Sequence, residues 1–236
     1  GLVQGLLITR AGLQPFILTL AGMLIYRGVS QTILSGGDIA FGNSKERAVQ
    51  VLVDDIGNGS VLGIPTPALI FLGVMAVATF FLHFTVFGRY LFAIGGNRDA
   101  ARYSGIPVQR VETASYVICA GLAGLAGVLY AAYLPQANHN IGFGYELTAI
   151  AAAVLGGCSL RGGEGTVPGV LIGAAIMQVL ENGINMFQIR YGDGKTFRLD
   201  ENWKFMIIGG VILGAVVLDQ VLHHVRARRR STGGKE

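Results

Sequence analysis

The chain has 236 residues, 52% of them hydrophobic and only 14% charged, at a mean hydropathy of +0.55; soluble domains carry about 25% charged residues, so a water-soluble core cannot account for this balance. The net charge of +4 and pI near 9.2 come from cations scattered between apolar runs and gathered at the C-terminus, which fits membrane orientation and argues against nucleic acid. Glycine makes up 36 of the residues with no G-X-Y period, and glycines inside apolar runs point to closely packed membrane helices.

Gly1 opens the chain inside an apolar stretch without a charged leader, and Gly1 to Ile8 reads as the tail of a span. The expectation is a C-terminal part of a longer protein whose earlier spans precede Gly1. A spanning helix needs about 20 mostly apolar residues. Five stretches meet this: Pro15 to Leu34, Pro67 to Phe87, Val111 to Leu134, Thr166 to Phe187, and Trp203 to Leu222. Tyr145 to Leu155 is too short to cross alone and reads as a broken or half-spanning helix, or as a span lengthened by its flanks. The expected fold is all-α, a polytopic membrane protein of about six segments plus a partial first one. Residues 1–225 form one transmembrane domain and residues 226–236 a basic tail.

Between two of the apolar runs lies the polar stretch GGNRDAARYSGIPVQRV, Gly95 to Val111. Asn97 suits a helix N-cap, Asp99 suits the positive end of the helix dipole, Ala100 and Ala101 propagate the helix, and Gly105 followed by Pro107 stops it. A surface helix of about two turns results, presenting Arg98, Arg102 and Tyr103 either to a docking partner or to water.

Lys and Arg gather on the cytoplasmic side. The two strongest basic blocks are Arg89, Arg98, Arg102 and Arg110, and the tail residues Arg226, Arg228, Arg229 and Arg230. Walking back from a cytoplasmic tail puts residues 188–202 outside and Arg161 inside. With Tyr145 to Leu155 counted as a crossing, Pro135 to Gly144 falls outside and residues 88–111 inside, so both basic blocks share one side. Residues 35–66 then lie outside; Asp38, Glu46, Asp54 and Asp55 beside Lys45 and Arg47, with a Gly57-Asn58-Gly59 turn, read as an exposed connection.

Further along, LGGCSLRGGEGTVPG, Leu155 to Gly169, lacks the Gly-Lys-Ser/Thr ending of a phosphate loop and reads as a tight turn. Gly165, Gly169 and Gly173 recur every fourth residue and, at about 100° per residue, form one stripe for close helix packing. Gln178, Glu181, Asn182 and Asn185 fall on a second face, either lining a pathway or solvating the outer boundary. Gly121, Gly124 and Gly127 recur every third residue, as another packing face or a flexible break. Pro135 to Asn140, with Tyr130 and Tyr133 just inside, forms a polar mouth that suits a neutral polyol or, equally, a membrane interface. Cys119 and Cys158 lack metal or redox spacing and are expected as small buried hydrophobes. His83, His139, His223 and His224 show no metal spacing and no catalytic set is clustered, so no enzyme site, metal or cofactor is expected.

Four stretches together resemble one family: PFILTLAGMLIYRG from Pro15, GRYLFAIGGNRDAARYSGIPVQRV from Gly88, AGLAGLAGVLYAA from Ala120, and AIAAAVLGGCSLRGGEGTVPGVLIGA from Ala149, the last followed by Glu181-Asn182-Gly183. They look like the permease subunit of ribose, xylose and arabinose-type ABC sugar importers of the bacterial inner membrane, over nearly the whole chain. The resemblance implies that residues 88–111 hold the coupling helix docking into a cytoplasmic ATPase, with Asn97, Arg98, Ala100, Ala101, Arg102, Gly105 and Ile106 as the coupling motif. Ala101 and Gly105 would allow close approach. It implies partners as well: that ATPase, which binds ATP and Mg, an extracytoplasmic sugar-binding protein, and a second permease subunit, most simply in a homodimer. Two departures stand out, the lack of the family's N-terminal spans and a Phe187 to Trp203 connection longer and more charged than typical. Permeases for branched-chain amino acids or nucleosides share the architecture; an ion-coupled transporter would need inverted repeats and a midplane ion site, and neither is evident.

Overall fold

Proline at the head of an apolar run and a polar or glycine residue at its foot set the limits of the helices. In the computed structural model the residues described are 1–34, 37, 39–40, 46–137, 141–186, 188–190, 196–198, 206–211, 213–214 and 217. They fall in two compact units, Gly1–Ile141 and Gly142–Glu236.

The first unit begins with α1 (Leu2–Ala11) and α2 (Pro15–Ile33), whose Pro15 sits at the first helical turn, where a missing N–H costs nothing. α1 packs on a long later helix, α7 (Val108–Tyr133), through a small-residue face. A Cβ on Gly5 would sit 3.2 Å from Thr113, and the Thr9 and Thr113 hydroxyls hydrogen-bond at 2.9 Å. This Gly1-Gly5-Thr9 face, four residues apart, is a packing signal the sequence reading passed over.

The connection after α2 is more ordered than expected. β1 (Ile39–Ala40) pairs antiparallel with β4 (Gln136–Ala137), so β1 lies at the end of the unit where α7 finishes. α3 (Arg47–Gln50) runs into a π-helical turn, Val51–Gly57, in which Val53 and Gly57 are buried and Gly57 abuts the Ala132 carbonyl of α7. Part of the predicted exposed loop is thus a packed element, because its Val53 and Gly57 face α7 while Asp54 and Asp55 head outward along the turn. A hairpin of β2 (Ser60–Val61) and β3 (Ile64–Pro65) follows, with Leu62 at its tip, 99% exposed.

α4 (Thr66–Phe84) ends earlier than the expected Phe87, at Thr85, whose hydroxyl accepts the Gly88 N–H and caps α5 (Val86–Gly96). α6 (Arg98–Tyr103) then turns into α7, whose 26 residues extend about 39 Å. No residue of α2 or α4 is buried. Apolar helices without a single buried residue belong to a chain whose solvent is lipid or neighbouring protein.

In the second unit α8 (Tyr145–Leu155), with the limits the sequence suggested, packs on α9 (Val167–Met186). Their contact is backbone to backbone: a Cβ on Gly169 would strike the Gly156 carbonyl, and one on Gly173 the Ala152 carbonyl. Ala151, Ala152 and Met177 form the core with Ile208, which lies in helical residues 206–211. The glycine-rich link between α8 and α9 is the tight turn expected, Ser159 N–H donating to the Glu164 carbonyl at 3.1 Å. The backbone of the predicted 188–202 connection pairs as β5 (Gln188–Arg190) with β6 (Thr196–Arg198). Among the described residues four helices, α2, α4, α7 and α9, are long and apolar enough to cross a membrane. Of Trp203 to Leu222, residues 206–211, 213–214 and 217 are helical; its remainder, His139, His223, His224 and the arginines of the tail lie outside the described residues.

Candidate functional site

The polar stretch between the apolar runs folds as a corner capped at both ends. α5 closes where Asn97 takes extended backbone (φ −158°, ψ 108°). Its N–H donates to the Ala93 carbonyl at 3.1 Å, while its side-chain oxygen accepts the Ala100 N–H at 3.0 Å. One residue ends a helix and starts the next. At the other end Gly105 adopts φ +82°. Its N–H donates to the Arg102 carbonyl at 3.1 Å and the Ile106 N–H to the Ala101 carbonyl at 3.2 Å, a Schellman turn. Isolated helices shorter than about 12 residues do not persist in water, so these caps are what hold α6 in shape.

Burial sorts its faces. Ala101 is 4% exposed and Tyr103 91% exposed; Asp99, Ala100, Arg102 and Gly105 are also exposed, and Ile106 is half-buried. The reading that Ala101 offers a partner close approach is therefore corrected: its methyl is spent on packing α6 against its own chain. Nothing lies within 4 Å of a Cβ placed on the exposed Gly105.

Arg98 is also more tied than expected. Its Nε donates to Glu112 Oε1 at 2.7 Å and its Nη2 to Oε2 at 3.0 Å, a two-pronged pair between α6 and the first turns of α7. That hydrogen bond, and then the Glu112 charge, raise the Arg98 pKa above its ordinary value. Sequence reasoning missed Glu112 because the two residues are 14 apart, a spacing no single helix face brings together; only the α6 corner does. Beside α6, the turn between α1 and α2 closes a cleft of about 1000 Å³, whose lining includes Arg10, Gln14, Arg98, Arg102, Arg110 and Tyr116.

The other predicted residues divide between the units. In the first, Tyr130 is half-buried and Tyr133 is 59% exposed near the end of α7 opposite α6. Gly121, Gly124 and Gly127 have nothing within 4 Å of an added Cβ, so the packing expected of them is not made within the described residues. Cys119 on the same helix is exposed, contrary to the buried hydrophobe expected, because that stretch of α7 is bare; Cys158 is half-buried.

In the second unit Gly169 and Gly173 form the expected packing stripe, continued by buried Met177 and Ile184. Gly165 departs from it: it precedes α9, in the link, against Cys158. Gln178 and Asn182 are exposed on α9 away from that stripe, whereas Glu181, four residues after Met177, borders it and is half-buried, so the four predicted polar residues do not share one face opposite the glycines; the Asn185 side chain lies outside the described residues.

Comparison with known proteins bears on this arrangement. The ribose import permease protein RbsC of Escherichia coli (strain K12) is 39% identical over 219 residues, 93% of this chain and 64% of its own length. RbsC of Bacillus subtilis (strain 168) is 40% identical over 217 residues, 92% of this chain and 63% of its own length. The L-arabinose ABC transporter permease protein AraH of Azospirillum brasilense is 37% identical over 226 residues, 96% of this chain and 62% of its own length. The chain thus spans less than two thirds of the relatives it matches. No solved structure matches it significantly. The model of one family, described as the branched-chain amino acid transport system / permease component, matches residues 1–216. A match running through α1, the α6 corner and the α8–α9 pair leaves little of the chain outside it, and the chain belongs to that permease family.

Proposed function

We propose that the chain is part of the transmembrane permease subunit of an ATP-driven importer, carrying a monosaccharide of the ribose, xylose or arabinose class across a bacterial inner membrane. The observation that carries this reading is α6, a surface helix locked at both ends between membrane helices, with Asp99, Arg102, Tyr103 and Gly105 exposed. A helix so short and so firmly capped suits a contact that must move as a body. A cytoplasmic ATPase holding ATP and Mg docks on it, and ATP hydrolysis stays in that partner. The Arg98–Glu112 pair passes the displacement of α6 to α7, one of the helices long enough to cross the membrane. An extracytoplasmic binding protein delivers the sugar at the opposite end of α7, and a second permease copy completes the path. On α9, Gln178, Glu181, Asn182 and Asn185 are the candidates to line that path; on α7, Tyr130 and Tyr133 are candidates considered separately.

Two observations support a cytoplasmic α6. Arg10, in the last turn of α1, shares its cleft with Arg98, Arg102 and Arg110, a concentration of cations typical of the inner side. At the other end of α7, the pairing of β1 with β4 joins two loops that the charge pattern assigns together to the outside. The C-terminal tail is then cytoplasmic too. The sugar class rests on the relatives, named for ribose, D-allose and L-arabinose. The family description names branched-chain amino acids, so the test sets the two classes against each other. The intact permease, reconstituted in proteoliposomes with its ATPase and binding protein, is expected to take up a pentose on addition of ATP. Uptake of leucine and of no sugar would overturn the assignment.

A further inference from the structure

The cleft beside α6 carries more charge than the coupling role uses, since Arg10 and Arg110 lie outside the coupling motif. Four arginines line it, Arg10, Arg98, Arg102 and Arg110, against two carboxylates, Asp99 and Glu112. Glu112 is committed to Arg98. Arg10, Arg102 and Arg110 are exposed and make no ion pair among the described residues. Guanidinium groups lining one cleft together favour an anion placed among them. The cleft is also placed at a membrane boundary: α2 begins at Pro15 and α7 at Val108, both on its rim, and both are candidate spans. Leu13, in the lining itself, is 46% exposed, and Phe16 and Ile17, which follow Pro15 in α2, are 72% and 61% exposed. Exposed apolar side chains next to a cleft lined by arginines match a ligand with a phosphate at one end and hydrocarbon at the other.

We propose that this cleft binds the headgroup of an anionic phospholipid of the leaflet it faces, with Arg10 and Arg110 holding the phosphate and Leu13, Phe16 and Ile17 lying along the acyl chains. A free phosphate would satisfy the arginines but leave the apolar rim without a partner. The volume, about 1000 Å³, accommodates a diacylglycerol phosphate headgroup with room for water. The inference needs the cleft to lie at the bilayer surface and does not need the ATPase to dock there.

The test uses the intact permease in nanodiscs of mixed phosphatidylglycerol and phosphatidylcholine, with retained lipid counted by native mass spectrometry after detergent release. The double variant R10Q/R110Q avoids the residues assigned to coupling. Each arginine near a charged bilayer surface contributes about a fivefold gain in affinity, so the double variant should hold phosphatidylglycerol about twenty-five-fold more weakly, with phosphatidylcholine unchanged. R89Q, on α5 outside the cleft, should leave both unchanged. Equal retention of phosphatidylglycerol by wild type and double variant would overturn the proposal. So would displacement of the lipid by millimolar inorganic phosphate, which would make a soluble anion the ligand. A double variant that keeps its lipid but loses affinity for the ATPase would give the cleft to the protein partner, also overturning it. Loss of lipid with ATPase affinity intact is the expected result, and it stands whether or not the coupling assignment of α6 survives its own test.

Discussion

The caps of α6 give the most specific prediction. Replacing Asn97 by Ala removes the side-chain acceptor of the Ala100 N–H, at a cost of about 1 kcal/mol. Replacing Gly105 by Ala puts a methyl group on a residue at φ +82°. Nothing lies within 4 Å of that methyl, so the cost is conformational alone, about 1–2 kcal/mol. Both changes bias the same opening of a six-residue helix, so their costs add to about 2–3 kcal/mol. Local opening is read by hydrogen exchange on the intact permease in nanodiscs, at the amides of Ala101, Ser104 and Ile106, which donate to Asn97, Ala100 and Ala101 carbonyls. Each single variant should speed their exchange about fivefold or more, and the double variant by about the product, with amides in the middle of α7 unaffected. Gly105→Asn should recover much of the loss, since asparagine tolerates the left-handed region. Acceleration of less than about twofold in both single variants would refute the view that the caps hold α6.

Three further predictions concern other parts of the chain. Gly173→Ala drives a methyl against the Ala152 carbonyl and should lower stability by about 1–3 kcal/mol in a thermal-unfolding assay, whereas Gly124→Ala, in open space, should be neutral or stabilising by up to about 1 kcal/mol; the reverse order would contradict the packing described. A double-mutant cycle on Arg98 and Glu112 should yield a coupling of about 0.2–1 kcal/mol, because the Arg98 side chain is 59% exposed, yet Glu112→Gln should lower transport more than it lowers stability. Replacing Gln178 and Asn185 by Leu should cut uptake in vesicles at least tenfold, a barrier change of about 1.4 kcal/mol, with normal insertion; undiminished uptake would remove α9 from the pathway.

Much of this was legible in the sequence, for reasons that differ by element. The long apolar runs announce α2, α4, α7 and α9 because a bilayer demands about 20 apolar residues whatever the neighbours. The α6 corner was legible down to its caps, since Asn97, Gly105 and Pro107 act through local backbone chemistry. The Gly169 and Gly173 stripe was readable because close helix contact needs small residues at helical spacing. Long-range pairings were not. Nothing local ties Arg98 to Glu112, Gly57 to Ala132, or Ile39 to Ala137, and all three arise where the chain folds back on itself. Burial at Ala101 was misjudged for the same reason: a small residue on a surface helix looks alike whether it faces a partner or its own chain.

The coupling role of α6 is tested most directly by cross-linking from its exposed face. Arg102→Cys and Tyr103→Cys, each in the intact permease with its ATPase, should form cross-links to the ATPase that strengthen or weaken on ATP addition, while Leu62→Cys, 99% exposed in the hairpin after the π-helical turn, should form none. An ATPase that links through Leu62→Cys and leaves both α6 positions unmodified would contradict the assignment of α6 and the orientation of the chain together.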